Sequence, residues 1–149
     1  MGDISFVLAG VSSKDQYALR AIFDLALQRP GIPIRIAKIA ERQEIPQKFL
    51  ELILSELKRG GFVESHRGAD GGYRLSRSPD LVTVGAVLRF VKGTRDGRHN
   101  KKTERANPFA ALWSQADATI SAIIDKTTFG KLARDWQEQQ AKNFPNWEI

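Results

Sequence analysis

The run Arg67-Gly68-Ala69-Asp70-Gly71-Gly72-Tyr73 constrains this chain more than any other stretch. Its glycines interrupt any helix, and β-prone residues stand on both sides, Phe62-Val63-Glu64-Ser65 before it and Tyr73-Arg74-Leu75-Ser76 after it. The stretch therefore reads as a hairpin with a basic, glycine-rich tip. Alone, such a tip is as readily an ordinary turn as a surface shaped for a polyanion, because glycine lets a backbone approach a phosphate closely.

The residues upstream move that balance. Ser13-Lys14-Asp15-Gln16 has the form of a capping box and starts a first helix. Tyr17, Ala21 and Leu25, with Leu19, Ile22 and Ala26, follow at helical spacing until Pro30-Gly31. A short helix from about Arg35 to Arg42 buries Ile36, Ile39 and Ala40, and Gln43-Glu44-Ile45 turns the chain. Pro46 suits the first turn of the next helix, which runs to Arg59 before Gly60-Gly61. At about 100° per residue, Phe49, Leu50, Ile53, Leu54 and Leu57 gather on its inner face. Gln47, Lys48, Glu51, Leu52 and Ser55 lie on the outer one. Two short helices, a tight turn and a basic hairpin are the layout of a winged helix-turn-helix. In that layout a helix enters the DNA major groove, and an arginine at the hairpin tip, here Arg67, can reach a minor groove.

Beyond Pro79-Asp80, Thr83 caps a helix with Val84, Val87, Leu88 and Val91 on one stripe, ending at Gly93. Thr94 to Ala106 is polar, basic and expected to be mobile. Asn107-Pro108 opens a long helix to about Lys126. Its apolar positions Phe109, Trp113, Ala116, Ile120 and Ile123 step by four, three, four and three residues. That is the spacing of a coiled-coil seam. The stripe could bury against its own domain, but the first three helices already fill a small core, which favours a dimer interface. Thr128 caps a last helix carrying Phe129, Leu132, Ala133 and Trp136, and Phe144-Pro145-Asn146-Trp147 forms an aromatic tail.

A net charge of +6 and a pI near 9.8 fit a polyanionic partner. The excess concentrates between Lys92 and Arg105, where six basic residues face only Asp96 and Glu104. These residues could contact phosphate, bind an acidic ligand, or simply be solvated. No cysteine is present, which excludes disulfides, thiolate catalysis and cysteine-ligated metals. His66 and His99 lack companions at metal-ligand spacing, so no metal site is expected. No nucleophile–base pair stands out, and an enzyme is not expected. The early apolar residues Phe6, Val7, Leu8 and Val11 are too few to span a bilayer, so the expected location is the cytoplasm, with no membrane partner.

With these pieces in order, the chain resembles the IscR/NsrR/CymR family of bacterial winged-helix transcription regulators. The resemblance rests on Ser13-Lys14 with Tyr17 to Ala21, Ile39-Ala40-Glu41, Ile45-Pro46 with Phe49-Leu50-Glu51, Leu57 to Val63, Arg67 to Tyr73, Thr83-Val84, and Ala111-Leu112-Trp113. It implies a homodimer with crossed long helices, bound to an imperfect palindrome of double-stranded DNA. Pro46, Lys48, Glu51 and Leu52 then stand at base-reading positions, Arg67 and Gly68 on the wing, and Ser13 and Lys14 at the backbone. Arg35 and Arg74 join them as expected phosphate contacts. Cluster-binding members carry three cysteines between the dimer helices; this chain has Arg98, His99, Lys101 and Lys102 there. Asn107 and Ala110 stand near further ligand positions. Family cluster chemistry therefore does not transfer, and no cofactor is expected.

The expected fold is mainly α with a small β-wing, a winged helix-turn-helix head followed by a long dimerisation helix. Its boundaries are an N-terminal extension over 1–11, the head over 12–82, dimerisation helices over 83–142 with the basic loop at 94–106, and a tail over 143–149. The expected function is sequence-specific DNA-binding regulation by a dimeric repressor without an iron–sulfur cluster. An effector, or a protein partner, is left unidentified; an effector could sit between the long helices beside Trp113. The alternative is a winged-helix interaction module that lost operator binding and docks a protein through its basic loop or aromatic tail.

Overall fold

Two reciprocal hydrogen bonds start the first helix. The computed structural model describes residues 10–93 and 107–143, and in it α1 spans Ser13–Leu27. The Ser12 hydroxyl accepts from the Asp15 backbone N–H at 3.2 Å, and the Asp15 carboxylate accepts from the Ser12 N–H at 3.0 Å. The capping box is thus Ser12 with Asp15, one residue earlier than Ser13 with Gln16. A charged carboxylate at the third position outcompetes a glutamine amide, because it accepts more strongly and favours the positive helix end. Asp15 is also fully buried, where Lys92 reaches it at 3.1 Å.

The second helix, α2, spans Ile36–Gln43, and α3 spans Gln47–Arg59. Between them Glu44 adopts a left-handed φ of 53°, and the Ile45 N–H closes the turn on the Ala40 carbonyl at 3.0 Å. Leu50, Leu54 and Leu57 are fully buried, and Ile53 nearly so. Phe49, expected on that inner face, is instead 58% exposed. Its position lies roughly a quarter-turn from the centre of the buried arc, where the core no longer covers it.

The hairpin pairs β1 (Val63–His66) with β2 (Gly72–Leu75), antiparallel, from Val63 opposite Leu75 to His66 opposite Gly72. Each arm begins and ends within one residue of expectation. Ile34 adds a single bridge to the far side of β2: its N–H donates to the Tyr73 carbonyl at 2.7 Å, and the Tyr73 N–H returns to Ile34 at 2.8 Å.

The next helix, α4, spans Val84–Gly93, with the Thr83 hydroxyl accepting from the Ala86 N–H. The long helix α5 spans Ala110–Ile124, shorter at both ends than Asn107 to Lys126. The Asn107 side chain accepts from the Phe109 N–H just ahead of it. The last helix, α6, spans Phe129–Asn143, and Thr128 accepts from the Lys131 N–H at its start. Antiparallel pairing of Thr83 with Thr128 ties the starts of α4 and α6 together.

One core joins most of these elements. Ala18, Ile22, Ile39, Leu54 and Leu57 share a cluster with Val82, Val87, Val91 and Phe129. Trp136 of α6 is 47% exposed and meets Phe23 edge-on at 6.2 Å. The helix α5 contributes no hydrophobic residue to the cluster. The basic loop at 94–106, the first nine residues and the aromatic tail from Phe144 lie outside the described residues.

Candidate nucleic-acid interface

Three surfaces carry the residues expected to meet DNA: the outer face of α3, the start of α1, and the wing. On α3, Pro46, Lys48 and Glu51 are exposed, and Leu52 is 65% exposed. Lys48 stands three residues before Glu51 and four before Leu52, so the three are neighbours on one face. Together they offer a cation, a carboxylate and an apolar group to whatever approaches.

The orientation of α3 depends on a buried network that the sequence pattern did not reveal. Asp24 of α1 is fully buried and accepts from Arg42 Nε at 3.0 Å, Arg42 Nη2 at 2.9 Å and Gln43 Nε2 at 3.1 Å. The hydrogen bond to Asp24 pushes the Arg42 pKa above the usual arginine value. Arg20 donates to the Gln43 carbonyl at 3.1 Å. These bonds clamp the end of α2 against α1, immediately before the left-handed Glu44 and the entry to α3.

Ser13 at the start of α1 is exposed. Lys14 is engaged: its Nζ lies 2.9 Å from Glu56 Oε1 of α3, with both side chains half-buried. The pair ties α1 to α3 and partly neutralises the cation.

On the wing, Arg67 and Gly68 are exposed at the tip, and Gly68 takes φ 106°. The other two glycines serve the wing's own folding. A Cβ on Gly71 would strike the His66 carbonyl, and one on Gly72 would strike the Ile34 carbonyl. Close approach is needed here for chain against chain, not for chain against phosphate. The Arg35 guanidinium donates to the Ala69 carbonyl, so Arg35 struts the wing loop. Arg74 donates to the Gly31 carbonyl at 3.0 Å and to Glu64 at 3.2 Å. Lys58 of α3, absent from the expected set, donates to the Ser65 hydroxyl at 2.7 Å and braces β1.

Of the expected cations, Lys14, Arg35 and Arg74 therefore have internal partners, whereas Lys48 and Arg67 have none among the described residues. Two further residues join the surface. Tyr17 and Phe49 line a depression of about 500 Å³ with Lys14, Leu52 and Glu56, between α1 and α3. Helical spacing had set Phe49 on the inner face of α3 and Tyr17 among the apolar positions of α1, so neither was expected at this surface.

The residues expected to form a dimer seam sit elsewhere. Phe109 is 56% and Ile123 62% exposed, while Trp113, Ala116 and Ile120 are partly covered. The rings of Phe109 and Trp113 lie 6.3 Å apart. Arg89 of α4 pairs with Asp125 at the end of α5, which raises the Arg89 pKa.

Residues 11–135 match the Rrf2 family, described as iron-dependent transcriptional regulators. Over 141 residues the chain is 35% identical to the HTH-type transcriptional regulator IscR of Aliivibrio salmonicida, covering 91% of this chain and 84% of that protein. Its fold is similar to that of T. potens IscR, with TM-score 0.73, 31% identity, and coverage of 89% and 93% of the two chains. It is also similar to that of CymR, the global cysteine regulator of B. subtilis, with TM-score 0.71, 29% identity, and coverage of 83% and 95%. An iron centre held by thiolates does not fit these 149 residues, which contain no cysteine. Among the described residues no group of three or more His, Asp or Glu is placed to hold a metal ion either. With its winged head, its long helix and these relatives, the chain belongs to the Rrf2 family and is a transcriptional regulator of the IscR-like kind.

Proposed function

We propose that this regulator is a homodimeric, sequence-specific DNA-binding repressor that works without an iron–sulfur cluster and without catalysis. The observation that carries the reading is the outer face of α3, where Lys48, Glu51 and Leu52 stand exposed between the start of α1 and the wing. Glu51 can accept from cytosine N4, Lys48 can donate to guanine, and Arg67 can enter the adjoining minor groove. Pro46 stands with them at the base-reading end of α3, Gly68 lets the wing backbone come close, and Ser13 and Lys14 meet phosphate. Arg35 and Arg74 act chiefly by holding the wing in place, since both already donate to carbonyls of their own chain. Two copies joined along α5 would present two such faces to a palindrome. No described helix is long and apolar enough to cross a membrane, in keeping with a cytoplasmic regulator.

One observation favours the rival reading, an interaction module that has lost operator binding. Lys14, Arg35 and Arg74 are committed internally, which thins the free positive charge facing a duplex. Mobility shifts of the full chain on its own upstream region, over a series of salt concentrations, separate the two. Specific binding that weakens steeply with salt supports the repressor reading. Absence of a shift at low salt defeats it.

A further inference from the structure

We infer that Leu52, backed by Phe49, is a thymine reader: it takes the 5-methyl group of a thymine in each half of the bound site. The inference rests on the DNA-binding reading above and names what one position of that face recognises.

Leu52 is 65% exposed on the outer face of α3, one residue after Glu51 and four after Lys48. A leucine can neither donate nor accept a hydrogen bond. In the major groove the bases present mainly hydrogen-bonding groups, and the largest apolar group among them is the C5-methyl of thymine, which stands out well beyond the C5–H of cytosine. A leucine carried into that groove gains most by covering that methyl.

The surroundings of Leu52 extend the argument. Phe49 lies one helical turn before it and is 58% exposed, and with Tyr17 both line the depression of about 500 Å³ between α1 and α3. The apolar strip is therefore continuous from Leu52 back towards α1. It is also flanked by charge on both sides, by the Lys14–Glu56 pair on one and by Lys48 and Glu51 on the other. An apolar protein segment laid here would desolvate those charges. A duplex instead meets the cations with phosphate and the strip with methyl and sugar carbons. The polar face and the apolar strip thus read adjacent base pairs, Glu51 favouring cytosine beside the thymine that Leu52 covers.

The test uses the full chain and a duplex enriched from a randomised library. Each thymine of the selected site is replaced in turn by deoxyuridine, which removes the methyl and leaves every hydrogen-bonding group in place. Binding is measured for the natural chain and for Leu52→Ala. The expected result is an affinity loss of about fourfold at one thymine per half-site, the worth of one methyl group removed from water. In Leu52→Ala the thymine and uracil duplexes bind alike. Three outcomes overturn the inference while leaving DNA binding intact: a selected half-site without thymine, indifference of the natural chain to uracil everywhere, or a uracil penalty that persists in Leu52→Ala. Failure of the library to enrich overturns the DNA-binding reading itself, and this inference with it.

Discussion

The head and α5 solve the problem of apolar surface in opposite ways. In the head, with α6 packed onto it, Ile22, Ile39, Leu50, Leu54, Leu57 and Phe129 are all at or below 1% exposure, drawn from four helices around one cluster. In α5, Asp117 is fully buried, while Leu112 and Ile123, and Phe109 at the helix start, are each more than half exposed. Both regions are built from similar residues, so the difference lies in what surrounds them. The head completes itself within one chain. A 15-residue helix that leaves such a stripe in water gains little from its own packing, and its stability must come from another surface.

Removing apolar volume should therefore act on different quantities in the two regions. Leu54→Ala opens a cavity in the head and should cost about 2–5 kcal/mol of folding stability. Denaturant titration measures it, and self-association well below the melting point should stay as in the natural chain. A loss under about 1 kcal/mol would mean that the head's core is looser than its burial implies. Ile120→Glu places a charge in the middle of the α5 stripe. It should weaken self-association at least about 100-fold, a cost of roughly 3 kcal/mol, with little change in the head's own unfolding. Analytical ultracentrifugation at micromolar concentration checks this. An unchanged mass would remove α5 as the seam.

The same contrast explains what could be read in advance. The inner face of α3, the Thr83 and Thr128 caps and the hairpin all follow from local periodicity and turn chemistry, which neighbouring residues dictate. The apolar stripe of α5 was legible as spacing, but spacing names no partner. What stayed hidden depends on contacts between distant residues. Asp15 gave no sign that Lys92, far along the chain, would reach it and help to fix the cap on Ser12. Asp24 gave none that it would be buried beneath Arg42 and Gln43. Arg35 and Arg74 looked like free cations, because a sequence does not show the carbonyls of Ala69 and Gly31 arriving in front of them.

Charge offers a sharper version of the comparison, because the head holds an ionised carboxylate inside its packing. Burial pushes the Asp15 pKa up, but the Ser12 N–H and the Lys92 ammonium outweigh it and hold it below the ordinary 3.8. A carboxyl with a lowered native pKa stabilises the fold above its unfolded pKa, and that contribution disappears as pH falls through the native value. The natural chain should thus lose stability on acidification from about pH 5 downwards, as the unfolded state begins to bind the proton first. Asp15→Asn keeps an acceptor for the Ser12 cap but cannot ionise, so its stability should fall less steeply over that range. Parallel pH profiles from thermal melts would show that Asp15 carries none of the acid response.

The smallest effect concerns the turn that aims α3. Glu44 is the one non-glycine residue with positive φ among the described residues, at 53°. A left-handed residue with a Cβ costs roughly 1–2 kcal/mol. Such strain persists where surrounding contacts over-determine it, as the Asp24–Arg42–Gln43 network does here. Glu44→Gly removes the Cβ clash but enlarges the unfolded ensemble, two opposing changes that leave a net gain of at most about 1 kcal/mol. Thermal melts of the purified chain should show a rise of a few degrees, a size expected for a domain this large. A fall instead of a rise would mean that the freedom glycine gives the unfolded chain outweighs the relieved clash, so that the left-handed turn stores less strain than its φ implies.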